Sequence, residues 1–226
     1  MARIEQTSVD FKGAFADIEG NLTSMAGAAI GSHLHRLPLQ WQPMRFTERI
    51  YKNAMARNIE IKARIENIAL MAARVAAIAD KGPIEITQDD TFFPCANGRL
   101  KLRIFSPDRG ELIYYRRADQ KGPKESFYLV SHTSSPETLR DLLSLAYGQV
   151  GRVRKHRTLF LAGRTRIHLD RVQGLGDFLE LEVVLQEGED AARGEDIAHA
   201  LMRKLGIFPE QLIEGAYVDL LTASPR

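Results

Sequence analysis

Asn58-Ile59-Glu60-Ile61-Lys62-Ala63-Arg64-Ile65 alternates polar and apolar residues without a break. In an extended strand successive side chains point to opposite faces, so Asn58, Glu60, Lys62 and Arg64 share a charged face while Ile59, Ile61, Ala63 and Ile65 share an oily one. Phe178-Leu179-Glu180-Leu181-Glu182-Val183-Val184 repeats the pattern far down the chain, with Glu180 and Glu182 opposite Leu179, Leu181 and Val183. The expectation is that this late carboxylate pair meets Glu60 from the early strand.

The two-residue period recurs between them. Arg99, Lys101 and Arg103 share a face, as do Lys155 and Arg157, and as do Arg164, Arg166, His168 and Asp170; Arg117 is in phase with Glu111 and Tyr115. Strands are expected over 84–93, 99–105, 111–117, 126–130, 150–161, 164–172 and 178–186, broken by Asn97-Gly98, Pro107-Asp108-Arg109-Gly110 and Gly122-Pro123. Helical spacing of Ile68, Met71, Val75 and Ile78 predicts a helix over 67–80, ended by Gly82-Pro83. Ser135-Pro136-Glu137 marks a second helix start with a capping serine. A third helix is expected over 190–205, followed by an amphipathic segment over 209–221. The class is α+β, with about eight strands and three or four helices.

Such a charged face is open to two readings. It is either the solvated side of an antiparallel sheet whose other side the helices cover, or the lining of a closed barrel. The distribution favours the barrel. Cations fall on many strands, whereas the paired carboxylates fall on the two strands nearest the ends of the domain. A lumen with basic walls and one acidic cluster suits a polyphosphate accompanied by a hard cation: Lys and Arg for phosphate oxygens, Glu60, Glu180 and Glu182 for Mg²⁺ or Mn²⁺.

The 226 residues carry a net charge of +2, which by itself points to no nucleic-acid partner. One cysteine, Cys95, excludes an internal disulfide and a multi-cysteine metal knot. No apolar run approaches the roughly 20 residues needed to span a bilayer, so a cytoplasmic protein without membrane partners is expected. Residues 1–54 read differently from the rest: they are small and polar with a Gly/Ala-rich stretch, an expected appendage ahead of a domain over 55–226. Met55-Ala56-Arg57-Asn58-Ile59 looks like a natural start, and His33 and His35 stand without further ligands nearby.

Asn-Ile-Glu-Ile-Lys-Ala-Arg64, Gln88-Asp-Asp-Thr-Phe-Phe93, Gly98-Arg-Leu-Lys-Leu-Arg103, Glu111-Leu-Ile-Tyr-Tyr-Arg-Arg117, Val153-Arg-Lys-His-Arg157, Arg166-Ile-His-Leu-Asp170 and Gly174-Leu-Gly-Asp-Phe-Leu-Glu-Leu-Glu182 stand in an order that resembles the CYTH family, the triphosphate tunnel metalloenzymes. The resemblance covers about Met55 to Leu220. It implies an eight-stranded antiparallel tunnel, a divalent metal and a triphosphate-bearing substrate such as ATP. The Arg-Leu-Lys-Leu-Arg and His-Leu-Asp…Gly-Leu-Gly wording is most similar to the class IV adenylyl cyclase branch, which makes cyclic AMP and pyrophosphate. Triphosphatases of the family are the alternative, and a non-catalytic nucleotide or polyphosphate binder is a third reading.

Carried over by position, the family's opening Glu-x-Glu-x-Lys falls on Asn58, Glu60 and Lys62, with asparagine where the first glutamate belongs. The closing Glu-x-Glu matches Glu180 and Glu182. The resemblance therefore implies metal ligation by Glu60, Glu180 and Glu182, with Arg64, Lys101, Arg103, Arg117, Arg157 and Arg166 as substrate contacts. Lys62, Lys155 and Asp170 are the candidate catalytic residues; Asp170 could orient a basic neighbour, bind metal through water or accept a proton. His168 is in phase with the charged face and reads as structural or catalytic. Tyr115, Ser126 and Tyr128 are further candidate substrate contacts. Family members often pair, so a homodimer is possible, although no interface is legible in the sequence.

Overall fold

The structure, a computed structural model, describes residues 56–223; the expected appendage over 1–54 and the start at Met55 lie outside the described residues. Eight strands run in the order β1 (Ala56–Arg64), β2 (Lys81–Phe93), β3 (Arg99–Ser106), β4 (Arg109–Arg117), β5 (Lys124–Thr133), β6 (Gly151–Ala162), β7 (Thr165–Val172) and β8 (Gly176–Val184). Helices α1 (Ile68–Ala76), α2 (Pro136–Tyr147), α3 (Ala191–Leu205) and α4 (Tyr217–Ala223) interrupt and follow them, with a 3₁₀ turn at Pro209–Gln211.

All strand pairs are antiparallel and the sheet closes as β1-β5-β4-β3-β2-β6-β7-β8. Closure leaves no unpaired edge, which a long charged strand such as β6 would otherwise expose. β1 is the closing strand, held between β5 and β8. Its register places Glu60 opposite Glu182 and Lys62 opposite Glu180, so the early and late carboxylates do meet.

The oily alternates point outward and are covered. Ile59, Ile61, Ile167, Leu169, Leu179, Leu181 and Val183 form one core with Met71 and Val75 of α1 and Ala198, Met202 and Leu205 of α3. α3 can lie close because Gly194 faces β1: a Cβ there would stand 2.6 Å from the Ile59 side chain. A smaller cluster under α2 joins Leu143 to Phe93, Leu102 and Ile104. A third core, of Phe92, Val153, Val172 and Phe178 with Ala216, Tyr217 and Val218, closes one end of the barrel beneath α4.

Three local expectations are corrected. α1 stops at Ala76, and Gly82-Pro83 belongs to β2, where the pairing with β6 shifts register between Lys81 and Ile84. A proline lacks the N–H that a ladder needs, so it is accommodated where pairing is irregular. Ser135 precedes α2 without a side-chain cap; its own N–H donates to Thr133 Oγ1 at 3.2 Å. The amphipathic segment expected over 209–221 is divided into the 3₁₀ turn and α4, which frees Gly215 and Ala216 to turn the chain onto the end of the barrel. Among the described residues, no helix is long and apolar enough to cross a membrane.

Candidate active site

The charged alternates point into the lumen, where they line a cavity of about 720 Å³. That is within the range of roughly 300–1,000 Å³ usual for small-molecule sites. Its walls gather residues from all eight strands: Glu60 and Lys62, Asp90, Lys101 and Arg103, Arg117, Tyr128, Lys155 and Arg157, Arg166 and His168, Glu180 and Glu182.

Two buried carboxylates organise the cations. Asp90 of β2 accepts from Lys101 Nζ at 2.9 Å and from Arg103 Nε and Nη2 at 2.8 and 2.9 Å. Burial would raise the Asp90 pKa, but Arg103 and Lys101 outweigh it and hold the carboxyl well below the usual range. The same burial, with Arg103 adjacent, pushes Lys101 down to about 8. Asp170 of β7 is 0% exposed. It accepts from Lys155 at 2.9 Å, from Arg157 at 2.6 Å to each oxygen, and from the Tyr217 hydroxyl at 3.1 Å. A carboxylate so surrounded stays ionised and fixes the direction of the two cations above it.

These pairings do not exhaust the donors. Lys101 has three N–H groups and shows one bond to Asp90, while Arg103 uses Nε and Nη2 and keeps Nη1. The array can therefore take phosphate oxygens without first breaking its own scaffold.

On β7 and β8, beside the Asp170–Arg157 group, His168, Glu180 and Glu182 bring one ligand atom each to within 4.8 Å of one another. His168 Nδ1 is buried, has no hydrogen-bond partner, and lies 3.7 Å from Glu180 and 3.6 Å from Glu182. Burial, aided by Arg157, pushes the imidazole pKa down, which favours the neutral ring that a metal needs. Burial would raise the Glu182 pKa, but positive charge nearby, from His168 when its ring is protonated and from Arg166 and Arg157, holds it at about 2. Two carboxylates and a neutral imidazole with an unused nitrogen fit a divalent cation.

Of the expected metal ligands, Glu180 and Glu182 belong to this cluster. Glu60 faces the same lumen but is ion-paired to Arg117. Glu180 in turn accepts from Lys62 at 3.1 Å and is paired with Arg157. Among the expected substrate contacts, Lys101, Arg103, Arg117, Arg157 and Arg166 all line the cavity. Arg166 bonds Glu182 at 2.8 Å and Tyr128 at 3.3 Å. Arg64 is not brought in with them. It lies past the closed end, exposed, with its guanidinium on the Phe178 ring and Nη1 donating 2.8 Å to the Leu175 carbonyl. Of the candidate catalytic residues, Lys62 and Lys155 reach the lumen and Asp170 sits beneath it. Tyr115, Ser126 and Tyr128 also line the wall.

Sequence reasoning missed three residues. Asp90 is in phase with Gln88 and could have been found by extending the two-residue period along β2. Lys124 is buried, donates 2.9 Å to the carbonyls of Gln120 and Glu214, and is pushed down to about 8 by burial and Arg117. Tyr217 stands on a segment with no strand period. Its ring lies 3.8 Å beneath the Lys62 ammonium and 5.0 Å from that of Lys155, so it forms the floor of the cation array. Gly151 makes room for the helix that carries it, since a Cβ there would stand 2.6 Å from Val218.

The family model described as "CYTH domain" matches residues 56–217. The chain is 25% identical over 175 residues to adenylate cyclase CyaB of Aeromonas hydrophila, covering 74% of this chain and 89% of that protein. In structure it is similar to a protein of Pyrococcus horikoshii, with a TM-score of 0.65 and 24% identity over 72% of this chain and 98% of the other. It also resembles HpAC1 of Hippeastrum, described as having a dominant triphosphatase activity, with a TM-score of 0.55 and 12% identity over 74% of this chain and 95% of that one.

Proposed function

The chain belongs to the CYTH family, whose members are adenylyl cyclases and triphosphatases, and from that premise we propose that it converts ATP to cyclic AMP and pyrophosphate in a divalent-metal-dependent reaction. The observation that carries this reading is one lumen holding both a cation array and, in contact with it, a carboxylate–imidazole cluster. The similarity to a cyclase over most of both chains favours cyclisation over hydrolysis.

In this reading the 3′-hydroxyl oxygen bonds to the α-phosphorus, the bond from that phosphorus to the bridging oxygen of pyrophosphate breaks with its electron pair leaving on pyrophosphate, and the hydroxyl proton passes to water. Lys101, Arg103 and Arg157 hold phosphate oxygens through their unused donors, with Arg117 and Arg166 along the wall. Lys62 and Lys155 place positive charge on the floor, where it opposes the charge that builds on the leaving pyrophosphate. Asp170 acts by positioning Lys155 and Arg157 rather than by touching substrate, since both its oxygens are already engaged. Mg²⁺ or Mn²⁺ would be held by Glu180 and Glu182 with His168, and when bound it supplies charge against the phosphate oxygens. Catalysis then rests on positioning and charge. The substrate class agrees with a cytoplasmic site of action.

Incubating purified protein with ATP and Mg²⁺ or Mn²⁺ and separating the products tests this. Cyclic AMP with pyrophosphate is the expected result. Orthophosphate with ADP, or with AMP, would replace the cyclase by a triphosphatase, and binding without turnover would make the protein a nucleotide binder.

A further inference from the structure

A neutral side chain and a ring nitrogen set the cluster on β7 and β8 apart from an all-carboxylate site. Among the polar alternates of β1, Asn58, Glu60, Lys62 and Arg64, Asn58 alone carries no charge. Glu60 is the register partner of Glu182 and Asn58 that of Val184, so Asn58 is the diagonal neighbour of Glu182 across the ladder. Diagonal neighbours lie about 7–8 Å apart, within reach of long side chains. Asn58 is 3% exposed, and its Oδ1 faces the cavity without a hydrogen-bond partner.

His168 has the same character from the other side of Glu182. It is the register partner of Glu180 across β7 and β8 and is 4% exposed. Its Nδ1 has no hydrogen-bond partner, although it lies 3.7 Å from Glu180 and 3.6 Å from Glu182. Buried polar atoms are nearly always partnered. Two orphans on one cavity, beside the same pair of glutamates, are both satisfied by a cation with its bound water, since the amide oxygen and the unprotonated ring nitrogen each offer a lone pair.

The chemistry of these donors discriminates among cations. The carboxylate charge is already shared, because Glu180 is paired with Lys62 and Arg157 and Glu182 with Arg166. Mg²⁺ binds through charge and oxygen ligands and gives up its water reluctantly. It therefore gains little from two partly neutralised carboxylates and a neutral amide, and imidazole is not among its usual ligands. A transition-metal ion gains the bond to nitrogen, and at a given N/O site affinity rises from Mn²⁺ through Fe²⁺ to Co²⁺.

We propose that His168 is a nitrogen ligand and that, with neutral Asn58 beside Glu182, it makes the site select divalent transition-metal ions over Mg²⁺. The inference rests on the metal-dependent part of the function above and narrows the choice of ion that the function leaves open.

Pulsed electron paramagnetic resonance of the full chain with substoichiometric Mn²⁺ reads the ligand atoms directly, without turnover. Modulation from a directly bound nitrogen nucleus is expected. His168→Gln should abolish it and weaken Mn²⁺ by at least about tenfold in calorimetric titration, while Mg²⁺ stays within about threefold. Asn58→Glu adds a carboxylate, so it should strengthen Mg²⁺ by about tenfold and narrow the gap between the two ions, with the nitrogen modulation kept. Bound Mn²⁺ without nitrogen modulation, modulation that persists in His168→Gln, or Mg²⁺ bound as tightly as Mn²⁺ by the unmodified protein overturns the selectivity and leaves the metal-dependent function standing. Absence of any Mn²⁺ binding overturns both. The spectrum of the unmodified protein identifies the ligand even where His168→Gln does not fold.

Discussion

Glu60 and Glu182 are direct partners across β1 and β8, yet their carboxylates serve different neighbours: Glu60 is bound to Arg117, whereas Glu182 joins Glu180 and His168 around a common point. Register brings the two glutamates together, and the surrounding cations separate their roles. Glu182→Gln is therefore expected to weaken Mn²⁺ binding by about 10–100-fold. Glu60→Gln should leave Mn²⁺ affinity close to that of the unmodified protein and reduce triphosphate affinity through the released Arg117. Manganese titration followed by electron paramagnetic resonance distinguishes them. An equal loss in both variants would return Glu60 to the ligand set.

Asp90 is the shared ion-pair partner of Lys101 and Arg103 inside the barrel. Asp90→Asn leaves two buried cations without their carboxylate, and removing one member of such a group costs about 3–5 kcal/mol. Urea denaturation should show this as a lower midpoint with an unchanged slope. Added inorganic triphosphate should restore part of the loss, because it supplies the missing negative charge.

The Tyr217 hydroxyl donates to Asp170 while the ring supports Lys62. Tyr217→Phe removes only the hydrogen bond, at a cost of about 1 kcal/mol. Tyr217→Ala also removes the floor and should cost about 3–5 kcal/mol. Comparing thermal midpoints with turnover separates the two parts: a floor role predicts that the Phe variant retains most of its turnover and the Ala variant does not.

Lys101 titrates near 8 instead of at 10.5 because burial and Arg103 disfavour its charge, with Lys155 adding to them and Asp90 opposing. The Phe92 and Tyr115 rings lie 5.7 and 5.6 Å from the ammonium. Charge on Lys101 is present at pH 7 and fades as pH rises through 8, so triphosphate affinity should fall from pH 7 to 9. Stability should move the other way. Between about 8 and 10.5 the unfolded chain holds a proton that the folded one has lost, and stability rises with pH wherever that is so. Lys101→Arg, which keeps its charge, should flatten the affinity profile; a persistent fall would assign it to another group.

Arg64 continues the lumen face of β1 in sequence but binds a backbone carbonyl beyond the closed end. Arg64→Ala should leave the affinity for triphosphate nearly unchanged, whereas Arg103→Ala should lower it by at least about tenfold, as expected for a charge-assisted contact. Calorimetric titration with the imido analogue of inorganic triphosphate measures both.

Much of this barrel was legible in one dimension because a strand's two-residue period is a local property. Ile59, Ile61 and Ala63 could be assigned to a covered face, and Glu60 and Lys62 to the opposite one, before any partner was known. The recurrence of that period on six runs, with cations on most and Glu60, Glu180 and Glu182 on the first and last, pointed to a closed lumen and its chemistry. Tertiary structure decided what depends on contacts between distant positions. It put Arg117 on Glu60 and left the Nδ1 of His168 between Glu180 and Glu182. It engaged both oxygens of Asp170 with Lys155, Arg157 and Tyr217, and it set Tyr217, from a helix with no strand period, under the lysines. Alternation fixes which face a side chain occupies. Which of several like charges pair on that face is set by register, barrel closure and the packing of the last helix, because electrostatic pairing depends on distances of a few ångströms that a residue's own neighbours in sequence do not determine.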